Sequence, residues 1–399
     1  MTLAPFDLNL RHLRALPVIA GRGSMSAAAN AVSLSQPALT QGVAKLERQL
    51  GVALFDRRPN GVVPTPEGRV LAERSAAALD HLAGAAGPAG RGFARPEMLM
   101  TATQLRAFLA LADAGGFASA AAANGWSQPA VHRAVRELEQ VCAHPLVERR
   151  GAGVALTARG HRLARGVRLA AAEIASAIAE LDPNDEVCST LAVGAMPLSR
   201  ALILPRAIAR FTAEQAKVRI DVVEGSWREL IEPLLDGVLD LTVGALRNDP
   251  PRGIVQTPLM RDKLVVIGRA GHPLAATACP SLDALAAFPW IVGQSNTPLR
   301  SQWNELFASR GLPDAPIECG SVMVTRQILR ESDFLTLLSP DQVALEIAAG
   351  ILTRIGPPLP ASARTIGIST RAGWRPTRVQ ARFLALIAQA AQSGVPEIQ

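Results

Sequence analysis

Residues 13–71 align without a gap on residues 105–163, an offset of 92 positions. Ser35-Gln36-Pro37-Ala38 falls on Ser127-Gln128-Pro129-Ala130, Leu46-Glu47 on Leu138-Glu139, and Arg57-Arg58 on Arg149-Arg150. Gly61-Val62 falls on Gly153-Val154, and Thr65 and Gly68 on Thr157 and Gly160. A period of 92 residues is too long for a solenoid unit and fits one small domain present twice. Any fold for this chain must therefore accommodate two like modules ahead of about 220 further residues.

Each copy reads as three helices and a hairpin. In the first, Leu10, Leu13, Leu16 and Ile19 have helical spacing, Gly23-Ser24 interrupts it, and Ser26 to Ala31 forms a short alanine-rich helix. Ser35 is a natural N-cap, and Pro37 occupies a first turn where its missing amide costs nothing. Leu39, Val43 and Leu46 then face inward, leaving Gln36, Thr40, Gln41 and Lys45 on the outer face. Short helix, tight turn and capped helix with a polar outer face is the helix-turn-helix pattern. Gln pairs bidentately with adenine, while Thr, Lys and Arg reach base edges or phosphates. Asn60-Gly61 marks a hairpin, a wing that brings Arg57 and Arg58 to phosphate, and Thr65 caps a long helix to about Leu82. Pro17 is expected to kink or shorten the first helix.

In the second copy the helices read as Leu105 to Ala112, Phe117 to Ala123, and one capped by Ser127 with Val131, Val135 and Leu138 inside. Its outer face carries Gln128, His132, Arg133 and Arg136, so the two copies are expected to read different bases. Its wing, Val147 to Leu156, carries Arg149 and Arg150. Gly84 to Gly92 reads as a flexible linker that lets the copies move relative to each other. A helix over 158–181 carries an apolar stripe at Leu163, Val167, Ile174, Ile178 and Leu181.

Charge supports a polyanionic partner for the N-terminal part. Residues 1–183 hold 20 basic and 14 acidic residues, against 21 and 20 in the remainder. With 49% hydrophobic and 19% charged residues the chain is globular, not a disordered tail. Cys142, Cys188, Cys279 and Cys319 lack ligand spacing and read as thiols in a reducing compartment. No signal peptide and no apolar run of about 18 residues is present, so the expectation is a cytoplasmic protein with no membrane contact.

Gly23-Ser24-x3-Ala28-Ala29, Ser35-Gln36-Pro37-Ala38, Leu46-Glu47-x2-Leu50-Gly51-x2-Leu54-Phe55-x-Arg57 and Thr65-Pro66-Glu67-Gly68 resemble, in order and spacing, the N-terminal signature of the LysR-type transcriptional regulators. That family has one such domain, a linker helix that pairs in a dimer, and a C-terminal effector domain. Two copies depart from it. The second copy also departs at Asn124, at Cys142-Ala143 in place of Leu-Gly, and at Val147 in place of Phe. It either extends the DNA footprint or is a structural or dimerisation module. The resemblance implies DNA contacts at Ser35, Gln36, Pro37, Ala38, Thr40, Gln41, Lys45, Arg57 and Arg58. The second copy adds Ser127, Gln128, Pro129, Ala130, His132, Arg133, Arg136, Arg149 and Arg150.

After Asp182 the pattern alternates short apolar strands with helices, predicting a parallel α/β sheet and then a second lobe. Gly237-x2-Asp240-Leu241-x2-Gly244, Gly271-His272-Pro273-Leu274 and Leu338-Ser339-Pro340 resemble the family's two-lobe effector domain, of periplasmic-binding-protein type (type II). The expected organisation is a multidomain chain, with two all-α winged helix-turn-helix domains followed by this α/β domain. The divisions read as winged domains at 8–83 and 101–157, a linker at 84–100 and a dimerisation helix at 158–183. The effector domain follows at 187–399, its first lobe at about 187–268 and 368–399 and its second at about 269–367.

Ligands in such sheets bind beyond the carboxyl ends of strands, where helix N-termini offer amides to an anion. That rule selects Met196, Pro197, Ser199, Gly244, Ala245, Ser295, Thr297, Val322 and Thr325 as effector-binding candidates. Each hydroxyl has the plainer reading of an N-cap. The chain lacks G-x-S-x-G, H-E-x-x-H and P-loop motifs, so an enzyme is not expected, nor a cofactor or metal. The expected partners are double-stranded DNA at a promoter or operator, a small metabolite, further copies of the chain as homodimer or homotetramer, and RNA polymerase as an additional candidate. A thiol redox sensor using Cys279 and Cys319 is the alternative from another class.

Overall fold

The computed structural model describes residues 3–59, 61–87, 93–151, 153–182, 190–199, 201, 203–295 and 297–392. The first copy comprises α1 (Leu10–Arg22), α2 (Met25–Ala31), α3 (Gln36–Leu50), the hairpin β1 (Phe55–Arg58) and β2 (Gly61–Pro64), and α4 (Pro66–Ala86). The second comprises α5 (Ala102–Ala114), α6 (Phe117–Asn124), α7 (Gln128–Cys142), the hairpin β3 (Val147–Arg150) and β4 (Gly153–Leu156), and α8 (Ala158–Leu181). The helix N-caps are those the residues announce: Ser24, Ser35, Thr65, Thr101, Ser127 and Thr157 each accept a first-turn amide. Pro17 does not shorten α1, which spans the same 13 residues as α5. Ala143 sits at the left-handed position that Gly51 occupies in copy one, a strained choice for a residue with a Cβ.

The expectation of independently moving copies fails. Their buried side chains form one continuous core from Phe6 to Leu181. Helix α4 runs to Ala86, past the linker's expected start at Gly84, and packs along α8 in antiparallel sense. Residues 88–92 of that linker lie outside the described residues, but Pro96–Met98 forms a 3-10 turn packed on α4. Its counterpart ahead of copy one, the turn Pro5–Asp7, packs on α5 and α8 of copy two. Arg14, buried and pulled down to about 10 by that burial and by Arg11, donates to the Glu97 and Met100 carbonyls. Arg106, its equivalent 92 positions on, pairs with Asp7 at 2.9 Å.

Toward one end of the helix pair, Arg74 of α4 meets Glu173 of α8 at 2.9 Å and Glu180 at 2.5 Å. Burial lowers the Arg74 pKa, but bonds to the two carboxylates outweigh it, so the guanidinium stays charged. At the other end Gly166 lies so close to α4 that a Cβ would stand 2.2 Å from that of Ala85 and 2.7 Å from the His81 carbonyl. Glycine is required there to let the helices approach.

The remaining strands and helices are β5 (Thr190–Ala195), α9 (Ile203–Glu214), β6 (Arg219–Glu224), α10 (Trp227–Leu235), β7 (Leu241–Ala245), β8 (Ile254–Asp262), β9 (Val265–Arg269), α11 (Leu282–Ala286), β10 (Trp290–Val292), α12 (Pro298–Leu306), β11 (Ile317–Glu318), α13 (Val322–Glu331), β12 (Leu335–Leu338), α14 (Ala344–Ala348), β13 (Leu352–Ile355), β14 (Arg364–Arg371) and α15 (Arg378–Gln392). They build two five-stranded sheets, ordered β6-β5-β7-β14-β8 and β11-β10-β12-β9-β13. The parallel expectation holds for β5, β6 and β7 and for β10, β11 and β12. Both sheets are nevertheless mixed, because β14 runs antiparallel to β7 and β8, and β9 antiparallel to β12 and β13.

The crossover between lobes falls at 263–264, so the strand predicted over Lys263 to Gly268 belongs to the second lobe and not the first. The chain returns before β14, at about 356–363. There Leu264 donates to the Ser362 hydroxyl, and buried Asp262 accepts from Ser339 and Arg364, both at 2.7 Å. Ser339 of the Leu-Ser-Pro motif thus bonds to the crossover between the two lobes. Asp240 accepts from the Ala192 amide, and neutral His272 accepts from the Leu274 amide, so the other two motifs also hold loops in place. The helix pair rests on the first lobe through Arg165, bonded to Asp236 at 2.5 Å and Glu232 at 2.6 Å. Among the described residues no single helix is long and apolar enough to cross a membrane.

Replacing Arg74 by Ala leaves buried Glu173 and half-buried Glu180 without their cation. The expected cost is about 3–5 kcal/mol, read from denaturant unfolding followed at Trp126, the one tryptophan of the N-terminal half.

Candidate nucleic-acid interface

Helix α3 presents Gln36, Gln41, Ala44 and Lys45 to solvent and keeps Leu39, Val43 and Leu46 buried. Thr40 is half-buried, its hydroxyl donating to the Gln36 carbonyl at 2.9 Å. Ser35 accepts from the Ala38 amide, which fixes the first turn and with it Pro37 and Ala38. Beside this helix stands the wing, with Arg57 and Arg58 exposed on β1. An open groove of about 1010 Å3 runs between them, lined by Gln36, Thr40, Gln41, Ala44, Arg57 and Arg58 among others. His12 lies behind α3, so close that a Cβ on Gly42 would stand 2.5 Å from its ring. Burial, then Lys45 and Arg11, lower its pKa and keep the imidazole neutral.

Copy two repeats the arrangement. Gln128, His132, Arg133 and Arg136 are exposed on α7 and flank an open hollow of about 610 Å3. Ser127 accepts from the Ala130 amide, Pro129 lies in the first turn, and the His132 ring packs at 4.9 Å on Phe117. Arg149 and Arg150 are exposed on β3. The two outer faces differ in charge, since Lys45 corresponds to Glu137 and Ala44 to Arg136.

Two features that position the wings escaped the sequence reading. Glu47 accepts the Leu54 amide at 2.8 Å, and Glu139 accepts that of Leu146 at 2.8 Å, tying each recognition helix to its wing. The repeated Leu-Glu pair was visible, but nothing local showed where its carboxylate would go. The hairpin also turns one residue earlier than Asn60-Gly61 suggested. Arg58 pairs with Gly61, which brackets Pro59 and Asn60, the latter outside the described residues. Gly61 instead serves a close approach: its φ is +132°, and a Cβ would stand 2.4 Å from the Gly23 carbonyl that accepts the Val62 amide. Gly153 in copy two has no such neighbour.

The effector candidates divide. The segments 196–199, 293–295 and 320–325 follow the carboxyl ends of β5, β10 and β11, and Gly244 and Ala245 are the last two residues of β7. Several of their hydroxyls are already engaged. Ser199 is fully buried and donates to the Met196 carbonyl, so it is not an exposed ligand contact. Ser295 is bonded through both amide and hydroxyl to Glu318, and Thr297 donates to Gln294 and caps α12. Met196 fills the space over Gly244, beside Ala245 and the exposed Pro197. Val322 is half-buried in the first turn of α13 and Thr325 is buried. Of the four thiols, Cys188 lies outside the described residues; Cys142 is buried and pushed up to about 11, Cys279 is exposed and Cys319 half-exposed, and these three are free.

Comparison with known proteins agrees with this architecture. The pattern of the bacterial regulatory helix-turn-helix proteins of the lysR family matches twice, at residues 10–69 and 102–161. That of the LysR substrate binding domain matches residues 184–392. The HTH-type transcriptional regulator GalR of Pseudomonas putida is 33% identical over 96% of this chain and 97% of its own length, so the match runs through both copies. The SDS degradation transcriptional activation protein of a Pseudomonas species is 36% identical over 68% of this chain and 90% of its own. Among solved structures, ArgP from Mycobacterium tuberculosis matches 73% of this chain and 97% of its own at 19% identity, with a TM-score of 0.59. LysG from Corynebacterium glutamicum, with bound effector Arg, matches 73% of this chain and 98% of its own at 21% identity and a TM-score of 0.56.

Gly61→Ala is expected to lift the first wing from the α1–α2 turn at a cost of about 1–3 kcal/mol. Gly153→Ala should stay within about 0.5 kcal/mol of the parent. Thermal melts of the two variants test the contrast.

Proposed function

Since the chain belongs to the lysR family of DNA-binding transcriptional regulators with an effector-binding domain, we propose that the outer faces of α3 and α7 enter the major groove of operator DNA. Arg57, Arg58, Arg149 and Arg150 then meet the flanking phosphates. The observation that carries this reading is the groove between α3 and the wing, open to solvent and lined by Gln, Thr and Arg. Gln36 and Gln41 suit adenine, and Arg133 and Arg136 suit guanine. The winged units correspond to 8–83 and 101–157 and the effector domain to 187–399.

Control comes from a small metabolite held between the two lobes. Main-chain amides at the N-termini of α12 and α13, with Val322 and Thr325 in the first turns, suit a carboxylate. Ser199 contributes by shaping the turn after β5. Lobe closure about the Asp262 hinge then reaches the heads through the contacts of Arg165. Self-association fits the effector domains: β6 is a sheet edge with Val222 and Val223 exposed, available to a second copy. Such a regulator works in the cytoplasm, where its operator and RNA polymerase are.

Footprinting on the DNA upstream of the gene tests the reading. Gln36, Thr40 and Gln41 changed together to Ala, and separately Gln128, His132 and Arg133, should each lose a different part of the protection. Loss from the first set alone would make copy two a structural module, and no protection at all would end the reading. Arg57→Ala should lower affinity for all sequences alike and reduce the salt slope by about 1. Separately, calorimetry with a panel of small carboxylates should give a ligand whose binding is abolished by Val322→Trp, with the effector-free footprint retained.

A further inference from the structure

The contacts between α4 and α8 obey an internal symmetry. Gly166 touches His81; moving each of these residues by 92 positions, to the other copy, gives Arg74 and Glu173, which are the ion pair. Near the midpoint of both contacts are Ala78 and Ala170, equivalent residues that are 3% and 0% exposed. The exchanged turns obey the same rule, Pro5–Asp7 packing on copy two and Pro96–Met98 on copy one. Arg14 binds the segment leading into copy two, and Arg106 binds the segment leading into copy one. Reciprocal contacts of this kind define an isologous two-fold interface, normally made between two chains. Here both sides belong to one chain.

We propose that this single chain supplies both halves of its DNA-reading pair, so that one chain spans two unlike half-sites about one helical turn apart in an asymmetric operator. The inference rests on the reading that α3 and α7 contact DNA. Three observations carry it beyond that reading.

First, the surface that would pair with another chain's linker helix is already filled. Arg74 has its two carboxylates, and the apolar stripe of α8 is buried from Leu163 to Leu181. Second, the spacing is right. Gly166 meets α4 at His81, 15 residues from Pro66, and is itself 8 residues from Ala158. At about 1.5 Å per residue the heads leave the pair roughly 35 Å apart along its axis, close to the separation of successive major grooves on one face. Third, the pair is symmetric in backbone but not in its reading faces. Thr40, Gln41, Ala44 and Lys45 face His132, Arg133, Arg136 and Glu137 as equivalents. A pair of identical heads requires a palindrome; this pair has no reason to prefer one. The second half-site is expected to be richer in guanine, read by the exposed Arg133 and Arg136.

Charge reversal distinguishes pairing within a chain from pairing between chains. Arg74→Glu, and separately Glu173→Arg with Glu180→Arg, should each lower operator affinity by about tenfold or more, since a buried charge loses its partner. All three changes in one chain should restore binding. Co-expressing the two defective chains should not, because each carries its own broken pair; restoration in the mixture would overturn the proposal. A second measurement leaves the interface intact, in case the reversed variants do not fold. With Cys188, Cys279 and Cys319 changed to Ser, an iron chelate is tethered through Arg48→Cys or, separately, through Gln140→Cys at the equivalent exposed position. DNA cleavage from the two positions should fall about one turn apart, each at a single locus per bound unit. Two loci one turn apart from the Arg48 label alone would mean like heads paired between chains, and no cleavage from Gln140 would remove the second half-site. Complete absence of protection would instead remove the DNA-reading premise itself.

Discussion

A guanidinium buried between two helices has to find its counter-charges in one register and no other. Arg74 does so with Glu173 and Glu180, and this sets how α4 lies on α8. Sliding either helix by a turn would strand a charge in the core, a penalty larger than the packing it could recover. Gly166 adds the complementary constraint, allowing the other end of the pair to close to backbone contact. Since each head is tied to the first turn of its long helix, at Gly68 against Leu54 and at Gly160 against Leu146, the register of the helix pair also sets the separation of the heads.

The same helix pair is the platform on which the effector domain sits. Arg165 reaches Asp236 and Glu232 at the end of α10, and Leu169 packs where a side chain at Gly237 would have stood. A cavity of about 270 Å3 remains between the helices and the first lobe, lined by His81, Glu173, Asp240, Arg371 and Trp374. Asp262 stands at the crossover, bonded at once to Ser339 of one lobe and Arg364 entering the other.

Between the two heads, backbone was held and chemistry was not. The caps Ser35 and Thr65 and the Leu-Glu pair recur as Ser127, Thr157 and Leu138-Glu139, and the side chains of Ser, Thr and Glu here bond to main-chain groups. The outer faces, which bond to little within the chain, differ at nearly every position. Each copy holds one left-handed turn without glycine, Ser33 in the first where the second has Gly125, and Ala143 in the second where the first has Gly51; Asn124, exposed, replaces the buried Val32. The wing of the second copy also lacks the docking contact that Gly61 gives the first.

What the sequence determined by itself were the features encoded locally. Caps, helical stripes, the repeat, the wing and the alternation of strands and helices all arise from neighbours within about ten residues, and all could be read from order and spacing. The outward candidates on α3 and α7 were legible for the same reason, because the buried stripe of a helix defines its exposed face. Contacts between distant segments were not. Gly84 to Gly92 has the composition of a linker, and composition carries no sign that α4 and α8 would close into one core on either side of it. Ser199, Ser295 and Thr297 had the right chemistry for a ligand, but their bonds to Met196, Glu318 and Gln294 emerge only when strand ends and helix starts are brought together. The partner of a side chain 99 residues away, as Glu173 is from Arg74, is a property of the tertiary fold alone.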